Sequence, residues 1–277
     1  MLHLLQPWLP PLLALAAVVA FDRAEARRGL RPPGFANPVR RVLFLVFFTL
    51  VLALGVFGGF GGPVEIDLES LQAAQLFQLH FLFLTTLVFW YALAFGRRSQ
   101  TPGAAARSFA AQLGLYAPRP GREVAIGLAA GFAGWAGVLA AMLGVAGLIY
   151  LVAGPEALPQ TPPAVIPWMA ALPVALRLAL ALSAGVVEEL FFRGFLQPRI
   201  GLLASSGLFV LAHVSYDQPL MLVGVALLSL LYGLLVRWRQ SLWAAIVAHA
   251  LFDAVQLLVV IPVALRYLPG GGALPAP

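Results

Sequence analysis

The chain has 277 residues, of which 61% are hydrophobic and 10% are charged, and its formal net charge is +6. A soluble domain is nearer half apolar and a quarter charged, so this composition excludes an ordinary soluble protein. The absence of cysteine excludes disulfides, thiolate zinc sites and a cysteine nucleophile. All 17 basic residues are arginine, which together with the frequent Ala, Pro and Leu is typical of a GC-rich bacterial gene.

Apolar segments of bilayer-spanning length recur along the chain. They predict an all-α fold, a polytopic membrane bundle of about eight transmembrane helices. The predicted spans are roughly 5–21, 39–60, 71–95, 124–152, 165–199, 202–214, 219–236 and 241–262. The first span could instead be a signal peptide, but its N-terminal region has no Arg or Lys, which argues against cleavage.

Arginine alternates from loop to loop. The loop at 22–41 holds six arginines and the loop at 96–123 holds five, whereas the loops at 61–70 and 154–164 hold none. By the positive-inside rule, the arginine-rich loops are cytoplasmic and both termini are extracytoplasmic. We therefore predict a multi-pass protein of the bacterial plasma membrane, and we assign the positive charge to loops rather than to nucleic-acid binding.

Several charged residues and histidines lie well inside the predicted spans. An unpaired Asp or Arg at the bilayer centre costs about 2.5–3.5 kcal/mol, so such side chains face the bundle interior, pair, or neutralise. These residues are His80, Arg177, Glu188, Glu189, Arg193, His213, His249 and Asp253.

Three of these residues are predicted to lie at one depth. Counted from the cytoplasmic helix ends, Glu188 and His213 are each about 16 Å deep, and His249 is about 12 Å deep. Glu189 and Arg193 are four residues apart, as are His249 and Asp253, so each pair shares a helix face. Glu188 points about 100° away from Glu189, which leaves it free to face a cavity.

The remaining members have simpler interpretations. Nothing charged adjoins His80 in the sequence, so we interpret it as a hydrogen-bonded packing residue. Arg177 is expected to extend toward the outer interface. The pair of Glu189 and Arg193 is either structural or part of the site, and Phe209, one turn before His213, is expected to form an apolar wall.

A carboxylate and two imidazoles permit two chemistries. Glu188, His213 and His249 could ligate Zn²⁺ and leave a position open for water. Alternatively, Glu188 acts as a general base on water that His213 also holds, and His249 stabilises the oxyanion. Both routes lead to hydrolysis, most plausibly of a peptide bond, and we favour the metal-free route.

Three short motifs resemble those of the CPBP family, which comprises type II CAAX prenyl endopeptidases and bacteriocin-processing or immunity proteins. They are "EELFFR" at 188–193, "FVLAH" at 209–213 and "HALFD" at 249–253. The resemblance implies an intramembrane endopeptidase whose site opens toward the cytosol. Glu188 and His213 would activate water, His249 and Asp253 would form the oxyanion side, and Glu189 and Arg193 are further motif members.

The resemblance leaves several points open. Many members have Asn where this chain has Asp253, so this Asp either donates a hydrogen bond when protonated or orients a charged His249. We divide the chain into N-terminal helices with arginine-rich loops at 1–153, a catalytic core at 165–262, which the resemblance covers, and a flexible tail at 263–277. The expected partners are the lipid bilayer and a membrane-associated peptide or protein substrate, which need not be lipidated.

Two other functions are alternatives to an intramembrane endopeptidase. A non-catalytic protein of the same fold could act in immunity or as a membrane scaffold. A transporter could use the charged cluster as a proton relay, although the sequence shows no internal repeat with paired broken helices.

Overall fold

A computed structural model describes residues 6–61, 72–95, 102–158, 161, 165–216 and 218–267. Most of the acidic loop at 61–70, Arg97, Arg98 and residues 268–277 of the predicted tail lie outside the described residues. Within these ranges the chain is helical and contains no strand, which confirms the all-α class. The α-helices are α1 Leu9–Arg27, α2 Pro38–Gly55, α3 Gln78–Phe95, α4 Pro102–Gln112, α5 Pro120–Ala153, α6 Val165–Ala171, α7 Val174–Glu188, α8 Gln197–Ile200, α9 Leu202–Leu211, α10 Pro219–Arg239, α11 Trp243–Val255 and α12 Ile261–Tyr267.

Short helical segments join these elements. Two are π-helices, Glu189–Leu196 between α7 and α8 and Gln256–Val260 between α11 and α12. The 3₁₀ turns are Gln6–Trp8, Pro33–Ala36, Gly58–Gly61, Ala73–Phe77, Pro155–Ala157 and Val214–Tyr216.

The predicted count of about eight spans is not confirmed. Among the described residues, five helices are long and apolar enough to cross a membrane, or six if the bent pair Val165–Ala171 and Val174–Ile200 forms one span. Helix α9 has ten residues, or about 15 Å, which is half the thickness of a bilayer core. Exposed apolar side chains such as Leu54, Leu143 and Leu151 lie on the outer surfaces of the long helices, as expected of a multi-pass membrane protein.

The predicted span at 165–199 is bent because of Pro173. The helix axis changes direction by 119° between its two parts. A proline disfavours helical backbone in the residue before it, and α6 accordingly ends at Ala171, ahead of Leu172 and Pro173. Helix α7 then starts again at Val174.

The π-helix Glu189–Leu196 contains most of the first motif, and all eight of its residues are buried. Its wider turn leaves backbone carbonyls without their usual α-helical partners, and side chains occupy some of them. Ser205 Oγ donates to the Phe192 carbonyl at 2.6 Å, and Arg199 Nη1 donates to the Phe195 carbonyl at 2.6 Å.

The interior has two regions of contrasting composition. The aromatic cluster joins α1, α2 and α3 to the π-helix, and it includes the parallel stack of Phe83 on Phe191 with ring centroids 4.1 Å apart. Its members are Phe21, Phe44, Phe48, Phe83, Trp90, Phe191, Phe192 and Phe195.

The small-residue interface lies on the other side, where α11 packs against α5 and α7. A Cβ added at Gly127 would come within 2.6 Å of Val247 Cβ, and one at Gly185 within 2.7 Å of Ala250. The helices therefore approach closely because glycine and alanine stand at their crossings. The members of this interface are Gly127, Gly131, Gly185, Ala244, Ala248 and Ala250.

Candidate active site

Glu189 and Arg193 form the ion pair that their spacing predicts. Arg193 Nη1 lies 3.1 Å from Glu189 Oε1, and both side chains are almost completely buried. Arg193 Nη2 also donates to the carbonyl and the hydroxyl of Ser229, each at 3.0 Å. The guanidinium lies 4.3 Å from the centroid of the Phe209 ring. Because each charge has a partner, the pair can stand inside the apolar bundle.

His249 connects this pair to α11. Its Nδ1 lies 2.9 Å from Glu189 Oε1, and its Nε2 lies 3.5 Å from Asp253 Oδ2. The imidazole stacks on Tyr232, with ring centroids 4.9 Å apart. Both ring nitrogens thus face a carboxylate, and the ring is held in one orientation.

Glu188 has a partner that its sequence neighbours do not reveal. Its Oε1 lies 3.3 Å from Nε2 of His80 on α3, and His80 Nδ1 lies 2.8 Å from Ser183 Oγ. No charged residue adjoins His80 in the sequence, but in the fold its partner is a carboxylate. The reason is tertiary, since α3 packs against α7 and brings together two residues that are 108 positions apart.

Only one oxygen of Glu188 is occupied. Its Oε2 is buried and has no hydrogen-bond partner among the described residues. An unsatisfied buried carboxylate oxygen is costly, so it marks a position where water or substrate would bind.

His213 follows the end of α9. Its Nδ1 lies 2.7 Å from the Phe209 carbonyl, and its ring stacks on Phe209 at 4.6 Å. Since a carbonyl only accepts, Nδ1 carries a proton, and in a neutral imidazole Nε2 then keeps its lone pair. The Phe209 ring also lies 6.0 Å from the His249 ring, so this side chain walls the site as predicted.

The described side chains do not fit a zinc ion in this arrangement. In the part of the chain that the structure describes, no three His, Asp or Glu side chains are grouped closely enough to hold a metal. A zinc ligand must present a free nitrogen lone pair, yet both nitrogens of His249 face carboxylates. Glu188, His213 and His249 would have to rearrange to form the predicted ligand set.

A cavity of about 580 Å³ lies beside the first motif. Its lining includes the buried Arg193 and Gln197 and, toward the surface, Arg28 and Arg237. These two exposed arginines belong to the chain segments that the positive-inside rule places in the cytoplasm.

Arg177 does not take part in this cluster. It donates from Nη1 to the carbonyl of Leu257, at 2.9 Å, in the second π-helix. This bond joins α7 to the segment that follows α11.

Residues 170–255 match the family described as "Type II CAAX prenyl endopeptidase Rce1-like". The chain carries an Rce1-like segment. This match includes all three motifs and confirms the resemblance that they predict. It excludes α1 to α5 and therefore His80.

One curated relative is similar to part of the chain. It is an uncharacterized protein, YpbD, of Bacillus subtilis (strain 168), which is 38% identical over 77 residues. The alignment covers 27% of this chain and 41% of the relative. No solved structure matches the chain significantly.

The interpretation of the sequence missed four contributors to this cluster. His80, Ser229 and Tyr232 contact motif residues, and Ser183 contacts His80. Only His80 carried a signal, because a titratable residue inside a span is a functional candidate in its own right. The two serines and the tyrosine are common hydrogen-bonding residues of membrane helices, and their spacing in the sequence does not indicate a site.

Proposed function

We propose that this protein is an intramembrane endopeptidase that hydrolyses peptide bonds of membrane-associated substrates. The observation that carries the proposal is the buried Oε2 of Glu188, which has no hydrogen-bond partner among the described residues, within an Rce1-like segment that also holds His213 and His249. A buried carboxylate with an unused oxygen is suited to accept a proton from water.

In the proposed reaction, the attacking water hydrogen bonds to Glu188 Oε2 and to the unprotonated Nε2 of His213. Glu188 removes a proton as the water oxygen bonds to the carbonyl carbon of the scissile peptide. The tetrahedral intermediate then collapses, the C–N bond breaks, and Glu188 returns the proton to the leaving amine.

His249 and Asp253 supply the oxyanion side in this scheme. At 3.5 Å from Asp253, the His249 Nε2 proton is only weakly engaged, so it remains available to a developing oxyanion. Glu189 holds the opposite nitrogen and prevents the ring from rotating. Arg193 balances the charge of Glu189, which makes these two residues positioning residues.

We further propose that the site faces the cytosol of a bacterium from within its plasma membrane. The cavity lined by Arg193, Arg28 and Arg237 supports this orientation, since it leads from the motif toward the arginine-rich end of the bundle. The substrate would approach from that end, with or without a lipid modification.

The test is cleavage of membrane-anchored peptides by purified protein, detected by mass spectrometry, with lipidated and unlipidated peptides in parallel. Glu188→Gln keeps the size of the side chain and removes the base. We expect it to lower turnover by about 10²–10⁴-fold while the protein remains folded. A chelator arm tests the zinc alternative, because a metal-dependent activity would stop and return with added Zn²⁺.

Turnover by Glu188→Gln equal to that of the wild type would remove Glu188 as the base. If correctly folded wild-type protein cleaves no peptide in either set, the alternative of a non-catalytic immunity or scaffold protein is favoured.

A further inference from the structure

His80 and Ser183 form a hydrogen-bonded chain that ends on Glu188. Ser183 Oγ lies 2.8 Å from His80 Nδ1, and His80 Nε2 lies 3.3 Å from Glu188 Oε1. His80 is outside the Rce1-like match at 170–255, so none of the three motifs includes it.

The chemistry of the three groups determines where the protons are. An ionised carboxylate only accepts, so the nitrogen that faces Glu188, His80 Nε2, carries the hydrogen. The other nitrogen, Nδ1, then has a lone pair and accepts from the Ser183 hydroxyl. Every group in this chain is satisfied by a neutral imidazole in a single tautomer.

The surrounding packing keeps His80 in place. Its side chain is 8% exposed and that of Glu188 is 9% exposed, so water competes little for their contact. One turn along α3, Phe83 stacks on Phe191 of the π-helix at 4.1 Å. The stack fixes the helix that carries His80 against the segment that begins at Glu189.

We propose that His80 is a positioning residue that orients Glu188 for catalysis. By occupying Oε1, it presents Oε2 to the attacking water and prevents the carboxylate from rotating. Ser183 selects the tautomer that can do so. The inference rests on the proposed endopeptidase function for its catalytic consequence, while the orientation itself can be measured without activity.

The kinetic test compares two substitutions of His80. His80→Leu removes the donor, and we expect kcat to fall by about 10–100-fold with KM nearly unchanged, because a misplaced base affects the reaction and not substrate binding. His80→Gln keeps an N–H donor near Oε1 and is expected to retain most of kcat. Ser183→Ala should produce a smaller loss than His80→Leu.

Thr86→Val is the matched control on the same helix. Thr86 is fully buried and its hydroxyl bonds only to the Leu82 carbonyl in the described structure, so kcat should not change. A wild-type kcat for His80→Leu, or equal losses for His80→Leu and His80→Gln, would overturn the positioning role.

The second measurement is ¹⁵N NMR of protein labelled at its four histidines. His80→Gln assigns the His80 signals by their loss. We expect a proton on Nε2 and none on Nδ1, a shift of the Nε2 signal in Glu188→Gln, and no shift in Thr86→Val. A proton on Nδ1, or no response to Glu188→Gln, would overturn the proposal.

The kinetic and NMR measurements together distinguish the positioning role of His80 from the proposed endopeptidase function. The expected His80 signals in a wild-type protein that cleaves nothing would contradict the endopeptidase function and support the orientation of Glu188 by His80. Cleavage that depends on Glu188 but not on His80 would support the function and contradict the positioning role.

Discussion

Two adjacent glutamates are held from opposite sides of the bundle by two different histidines. Glu188 contacts His80 on α3, within the region of the aromatic cluster, whereas Glu189 contacts His249 on α11, across the small-residue interface. On the aromatic side, packed rings fill the space between the helices. The small-residue side has almost no gap, because Gly185 meets Ala250 directly.

The difference shows how the protein assigns separate tasks to neighbouring carboxylates. Glu189 is completely buried and has two partners on Oε1, the guanidinium of Arg193 and the imidazole of His249. Glu188 has only the imidazole of His80 on Oε1, and the Oε2 of each glutamate has no hydrogen-bond partner among the described residues. A carboxylate paired with a buried guanidinium suits a structural anchor, and one without such a cation suits chemistry.

The largest expected effect comes from breaking the anchor. Arg193→Ala or Glu189→Ala leaves a buried charge unpaired and should reduce the free energy of unfolding by about 3–5 kcal/mol. The double substitution leaves neither charge stranded and should cost less than the sum of the two. Denaturant titrations in detergent measure the three values, and strictly additive losses would show that the two side chains do not interact.

A smaller loss is expected from the aromatic side. Phe83→Ala removes the stack on Phe191, and we expect a cost of about 2–3 kcal/mol, below the value for soluble cores because lipid already solvates the unfolded helices. The ¹⁵N signals of His80 should shift more than those of His249. Phe81→Ala is the control, since this side chain on the same helix is 68% exposed. Equal losses for the two variants would refute the role of the stack.

The small-residue side is tested by a single methyl group. Gly185→Ala places a Cβ about 2.7 Å from Ala250, and forcing the helices apart should cost about 1–3 kcal/mol. Here the His249 signals should move and those of His80 should remain. Gly137→Ala is the matched control, because nothing lies within 4 Å of its added Cβ. A stability of Gly185→Ala equal to that of Gly137→Ala would mean that α7 and α11 do not meet there.

The smallest effect is expected at Asp253, on the rim of the site. An Asn side chain donates an N–H at every pH, whereas Asp donates only when it is protonated. We expect Asp253→Asn to keep substantial activity and Asp253→Ala to lose about 10–100-fold. A pH series of kcat for both variants provides the measurement. If Asn is as inactive as Ala, the carboxylate charge on His249 is what matters.

The number of spans illustrates where prediction along the chain fails. Apolar runs identified membrane helices correctly as a class, but hydropathy does not distinguish a straight span from the 119° bend at Pro173. Nor does it distinguish a full span from a short apolar helix such as Leu202–Leu211. The π-helix at Glu189–Leu196 also has no sequence signature that differs from an α-helix.

The sequence by itself determined the contacts that helical periodicity creates. Glu189 with Arg193, and His249 with Asp253, are neighbours in any helix because four residues make about one turn. The tertiary structure decided which helix faces which. The contact of His80 with Glu188 and that of His249 with Glu189 depend on the fit between whole helix surfaces, aromatic on one side and glycine-rich on the other. Such a fit is a property of two surfaces together, so neither segment specifies it alone.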